Sequence, residues 1–185
     1  QALRSAIENA EDDADAGAAA LAAIEVGPLD SVVGISASGR TPYVIGALRA
    51  ARERGALAIS VANNRGAEMS AEADVAIEVV SGPELVAGST RLNAGTAQKL
   101  VLNTLSTLAM VQLGKVYGNL MVDVKSSNKK LEERARRIVM TATGCSRKAA
   151  IAALAESNGH AKTAIVMVLL GLSAAEADAK LSAAK

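Results

Sequence analysis

The spacing of apolar and polar positions changes along the chain, and each change predicts an element. Over residues 2–24, Leu3, Ile7, Ala10, Ala14 and Leu21 form an apolar stripe with carboxylates between them, the pattern of a helix. Pro28 and Asp30 then punctuate the chain, and SVVGIS (31–36) is a short apolar run that reads as a buried parallel strand. Thr41 stands where a helix N-cap belongs, and Pro42 falls at the first helical position, where a missing N–H costs nothing. That helix is expected to run to about Arg54 and to end at Gly55. ALAISVAN (56–63) predicts a second strand, NRGAEMSAEA a polar loop, and DVAIEVV (74–80) a third strand.

Beyond Gly82-Pro83 comes GSTRLNAGTAQKLVLNTLSTLAMVQLGK. Residues 96–113 of it are apolar on nearly every side of a helix, which predicts a position in the core, with Gly114 as the stop. The order β-α-β-loop-β-long helix is that of an α/β open parallel sheet. Sheets of this class usually hold about five strands, so with three placed, a further N-terminal portion is expected. The start at Gln1, where the sequence reads as helix almost from its first residue, fits that expectation. After Val124 the composition shifts. KSSNKKLEERARRIVMTATG predicts a charged amphipathic helix with Leu131, Ala135, Ile138 and Val139 on one face, closed by Gly144. Three short helices follow, opened at Ser146, closed at Gly171, and begun again by a capping box of Ser173 and Glu176. The expected organisation is a partial sheet domain over 1–125, then a linking helix and small helical bundle over 126–185.

Composition narrows the partners. Phe and Trp are absent and Tyr43 and Tyr117 are the only aromatics, so the core must be aliphatic and stacking platforms for bases are missing. With 20 basic and 19 acidic residues the net charge is +1, which argues against nucleic acid. The lone Cys145 excludes an internal disulfide, and every apolar stretch breaks before the ~20 residues that span a bilayer. A cytoplasmic protein is expected, with neither membrane nor nucleic acid as partner.

Three constellations could carry chemistry. Ser36, Ser38, Gly39, Arg40 and Thr41 lie between a strand and a helix N-terminus, where hydroxyls, backbone amides and the helix dipole favour an anion. A capped βα turn without ligand explains the same residues equally well. Neither G-x-S-x-G nor an ordinary P-loop is present. Glu8, Glu11 and Asp12 would share one helical face, where packed carboxylates raise one another's pKa, although a solvated acidic helix start accounts for them more simply. Ser89, Thr90 and Arg91 sit among glycines ahead of a helix, as a second anion cradle or a surface loop. No Cys or His pair has metal-ligand spacing, and His160 and Cys145 read as packing or surface residues.

The stretches VVGISASGRTPYVIGAL, AGSTRLNAGTAQKLVLNTLSTLAMVQLGKVYGNLMVDV, TATGC and AIENAEDD resemble the N-acetylmuramic acid 6-phosphate etherases, built on the sugar isomerase (SIS) fold. The resemblance implies removal of D-lactate from the 3-ether of the sugar by elimination across C2 and C3, followed by addition of water, with no metal or redox cofactor. It matches Glu11 to one of two catalytic glutamates, with Glu8 as a neighbour that tunes it. Ser36, Ser38, Gly39 and Thr41 match the loop that contacts the sugar 6-phosphate, and Ser89, Thr90 and Arg91 a second loop near it. It also implies a homodimer, and it places the other glutamate and two more strands upstream of this sequence, so that the fragment alone would be inactive. The sequence departs from the family at Asn93, where lysine is common. A non-catalytic phosphosugar-binding protein of the same fold is the alternative, and a sugar phosphate isomerase a third.

Overall fold

A computed structural model describes residues 9–124 and 128–184. The chain divides into two compact units, the first ending at Thr104 and the second beginning at Leu105. This division by packing falls earlier than the shift in composition after Val124.

In the first unit the expected N-terminal helix is not continuous. Asn9 is left-handed (φ 64°), a 3-10 turn spans Ala10–Asp12, and the Asp13 carboxylate caps α1 (Ala14–Ala23) by accepting the Ala16 N–H at 2.9 Å. The turn takes Glu11 and Asp12 out of a regular helical face; Glu8 lies outside the described residues. β1 (Ser31–Ser36), β2 (Leu57–Ala62) and β3 (Val75–Glu78) form a parallel sheet in that order, with Ser31 opposite Leu57 and Ile59 opposite Val75. Between β1 and β2 runs α2 (Pro42–Glu53), as the proline and the glycine after Arg54 predict.

The core of this unit lies on the α2 side of the sheet, where Leu48, Ala51, Ala58, Ala62 and Met69 pack with no aromatic among them. Small residues set the spacing. A Cβ on Gly34 would stand 2.7 Å from the Val44 side chain, so β1 needs glycine there to let α2 approach. The α1–α2 crossing is closer still. A Cβ on Gly17 would overlap the Tyr43 carbonyl and one on Gly46 the Ala14 carbonyl, so the two backbones touch.

α3 (Asn93–Gln112) begins three residues earlier than its apolar pattern predicts, because Glu84 caps it from the preceding loop. The Glu84 carboxylate accepts the Asn93 N–H at 2.7 Å and the Ala94 N–H at 3.0 Å. The expectation of a core helix is not met. Ala94 is its buried residue, while Leu100, Leu102, Leu108, Met110 and Val111 are exposed. An all-round apolar pattern states what a helix prefers, but burial requires a second layer, and among the described residues none encloses α3.

The second unit begins within α3, and after that helix comes a hairpin that the sequence pattern did not predict, β4 (Val116–Tyr117) against β5 (Leu120–Met121), turned at a left-handed Gly118 (φ 58°). Four helices follow: α4 (Lys129–Thr143), α5 (Arg147–Glu156), α6 (Ala161–Leu170) and α7 (Ala174–Ala183). Their caps are the expected ones: Gly144 and Gly171 are left-handed, the Ser146 hydroxyl accepts the Ala149 N–H, and Ser173 with Glu176 closes a full capping box. Ala135, Ile138 and Val139 of α4 pack with Val122, Val124, Leu154 and Ile165, so residues ahead of α4 belong to this core as well. His160 is tied into the unit: Nδ1 is 2.6 Å from the Thr163 hydroxyl, which donates to Asp178 at 2.5 Å. No helix of the described residues is long and apolar enough to cross a membrane.

Candidate functional site: the β1–α2 turn

At the C-terminal end of β1 the chain turns through Ala37–Arg40 into α2, and the hydroxyls singled out from the sequence converge there. Ser36 Oγ is the hub. It shares hydrogen bonds with Thr41 Oγ1 at 2.8 Å and Ser38 Oγ at 3.2 Å, and it accepts the Gly39 N–H at 3.1 Å. Thr41 occupies the N-cap position, yet its side chain caps no α2 amide and turns to Ser36 instead. The first turn of α2 thus keeps its positive end without a side-chain cap, beside three hydroxyls. Ser36 is buried, whereas Ser38 faces solvent. Gly39 is left-handed (φ 73°), and a Cβ there would overlap Ala67 and sit 3.1 Å from Ala62.

Residues that the sequence pattern did not single out hold this turn. Ala37 O accepts both the Asn63 N–H at 3.1 Å and the Asn64 side-chain amide at 2.9 Å, and Gly39 O accepts the Met69 N–H at 2.9 Å. Buried Asn63 extends the connection: its side chain donates to Val79 O at 3.0 Å and accepts from Gln98 of α3 at 2.8 Å. Glu78 stitches the loop after β2. It accepts the Ser70 hydroxyl at 2.7 Å and the Gly66 and Ala67 N–H groups at 3.0 Å, and these bonds, the hydroxyl's foremost, hold its carboxyl below the usual range. The available signal was position, since Asn63 and Asn64 end a strand where open sheets place ligands.

The remaining expected residues lie apart from this cluster. Ser89 is half-buried and Thr90 and Arg91 are exposed; among the described residues no hydrogen bond joins them to the turn. The helix end beside them is already filled by the Glu84 carboxylate, which takes the place that an anion would have there. Asn93 donates its side-chain amide to Pro83 O at 3.0 Å, part of the same cap. Glu11 is exposed on its 3-10 turn and makes no hydrogen bond or ion pair among the described residues.

Comparison with known proteins decides the family. The SIS domain family matches residues 10–108, which takes in the three strands of the parallel sheet, α2 and the hydroxyl turn. The chain belongs to the SIS domain family. Its relatives include N-acetylmuramic acid 6-phosphate etherases from several bacteria. That of Cutibacterium acnes is 59% identical over 182 residues, 98% of this chain and 60% of the relative. That of Rubrobacter xylanophilus is 59% identical over 176 residues, covering 95% and 58%, and that of Deinococcus radiodurans 54% identical over 184 residues, covering 100% and 60%. The chain thus spans about three fifths of the length of the curated relatives it matches. As an SIS member it carries the open parallel α/β sheet expected from the strand order, followed by C-terminal helices.

Proposed function

We propose that this SIS chain serves N-acetylmuramic acid 6-phosphate etherase chemistry, a carbon–oxygen lyase reaction of cell-wall sugar recycling. The observation that carries the reading is the convergence of Ser36, Ser38 and Thr41 at the uncapped start of α2. Hydroxyl donors and a helix N-terminus suit the phosphate of a sugar 6-phosphate. Relatives more than half identical along nearly the whole chain bear the etherase name. In the reaction a base removes the C2 proton of the open-chain sugar and the C3–oxygen bond breaks. The departing lactate oxygen takes a proton, and water then adds across the new double bond. Glu11 is the proton-transfer group on this chain; Ser36, Ser38, Gly39 and Thr41 hold the phosphate, and Ser89, Thr90 and Arg91 approach the sugar. Glu8 belongs to the same scheme as Glu11's neighbour. Residues 1–125 form the sugar-binding portion, in a cytoplasmic homodimer for which the open apolar side chains of α3 offer a surface to cover.

One observation favours a non-catalytic phosphosugar-binding protein instead: Glu11 is exposed and bonded to nothing among the described residues. D-Lactate release from N-acetylmuramic acid 6-phosphate, by protein expressed from the complete reading frame, separates the two. The etherase reading expects release, lowered ~10²-fold or more by Glu11→Gln with phosphosugar binding retained. Binding without lactate would move the assignment to the phosphosugar-binding protein.

A further inference from the structure

A cavity of about 270 Å³ opens beside the hydroxyl turn, lined by Ser38 and Arg40 on one side and by Asn64, Arg65 and Glu68 on the other. Its walls are built in advance. Asn64 and Met69 bond the two loops together at 2.9 Å each, and Gly39 packs on Ala67 with no room for a Cβ. Arg40 and Arg65 are both exposed, and neither is in an ion pair among the described residues. Glu78 feels the charge of Arg65, but its oxygens are committed to Gly66, Ala67 and Ser70. Two guanidiniums therefore face one lining carboxylate, Glu68, and the cavity keeps a positive balance.

The substrate under the proposed reading carries two anions, the 6-phosphate and the carboxylate of the lactyl ether. The hydroxyl turn accounts for one of them. Guanidinium forks suit a carboxylate, which they bind through paired charge-assisted hydrogen bonds. We propose that Arg40 and Arg65 form a second anion subsite, beside the phosphate-binding hydroxyls, that takes the lactyl carboxylate and selects ether-bearing sugars over their lactate-free counterparts. The proposal rests on the phosphosugar reading of the turn. It makes the arginines specificity-determining residues, whereas the hydroxyls serve every sugar 6-phosphate.

The test compares N-acetylmuramic acid 6-phosphate with N-acetylglucosamine 6-phosphate, which lacks only the lactyl group. Affinities for both are measured by calorimetry in the Glu11→Gln background, to slow turnover, with Arg40→Gln, Arg65→Gln and Arg65→Lys added singly. Only variants whose unfolding midpoint matches the parent are compared, and the exposure of both arginines makes this the expected behaviour. Each Gln variant is expected to lose about tenfold or more in affinity for the lactyl sugar, and less than about twofold for the other. Arg65→Lys should recover part of the loss, and the preference should weaken as salt rises, since both cations are exposed. Equal losses for the two sugars would mean that the arginines hold the phosphate and would overturn the proposal. Unchanged affinity for both would overturn it as well. Failure of the parent to bind either sugar would instead bring down the phosphosugar reading itself.

Discussion

Ser36 and Ser38 are two residues apart in one loop, yet their substitutions should separate stability from binding. Ser36 Oγ is buried and bonded to Thr41, Ser38 and the Gly39 amide, so Ser36→Ala leaves the buried Gly39 N–H without its acceptor. A loss of about 1–2 kcal/mol in unfolding free energy is expected, together with weaker phosphosugar binding. Ser38 is exposed, and Ser38→Ala should cost less than about 0.5 kcal/mol while still weakening phosphosugar binding several-fold. Denaturant unfolding and a phosphosugar titration on the two variants check the pair. At this scale the convergence of the hydroxyls was legible because small polar residues between an apolar run and a proline fall where a strand ends and a helix begins. Asn63, Asn64 and Gln98 were not. Their amides bond across 16 to 35 residues of sequence, and no local pattern records such a partner. Glu84 was hidden for the same reason, and its effect was to occupy the helix end that glycines and hydroxyls had marked as a second cradle.

Two elements give predictions of their own. The α1–α2 crossing depends on Gly17 and Gly46, where a side chain would run into backbone that cannot swing aside. Gly46→Ala is therefore expected to destabilise the protein by about 2 kcal/mol or more, although alanine favours helix, and thermal unfolding reads the sign directly. In the helical unit the α4–α5 connection is clamped by Arg147, whose guanidinium donates to both Glu133 oxygens at 2.8 and 2.7 Å. That bond, ahead of the attraction of the charges, lowers the Glu133 pKa from 4.5 to about 2. A carboxyl lowered by folding adds stability that is complete above its unfolded pKa and is lost as pH falls towards the folded one. The clamp should hence weaken between about pH 4.5 and 2, and Arg147→Gln should flatten the unfolding midpoint against pH over that window. An equally steep profile in the variant would remove the pair from the acid response. The strands, α2 and the amphipathic α4 were legible here because periodicity and caps agree. The start of α1 was not, since an αL asparagine and an aspartate cap interrupt a run whose composition is helical throughout.

For the molecule as a whole, strand order and alternation with helices were enough to give an open parallel α/β sheet, which requires only local patterns in sequence order, whereas the SIS type came from the resemblance of longer stretches. Where packing closes was harder to read. Val122 and Val124 precede the shift in composition yet pack with α4 and α6, and α3, apolar all round, stays open among the described residues. Hydrophobicity records the preference of a segment, whereas burial depends on what else is present to cover it. The central claim is that the β1–α2 hydroxyls hold the phosphate of a sugar. The most direct measurement is a titration with N-acetylglucosamine 6-phosphate beside unphosphorylated N-acetylglucosamine, for the parent protein and Ser38→Ala. Saturable binding of the phosphorylated sugar alone, weakened several-fold by the substitution, is the predicted result. Equal affinity for the two sugars, or phosphosugar binding indifferent to Ser38, would contradict the account.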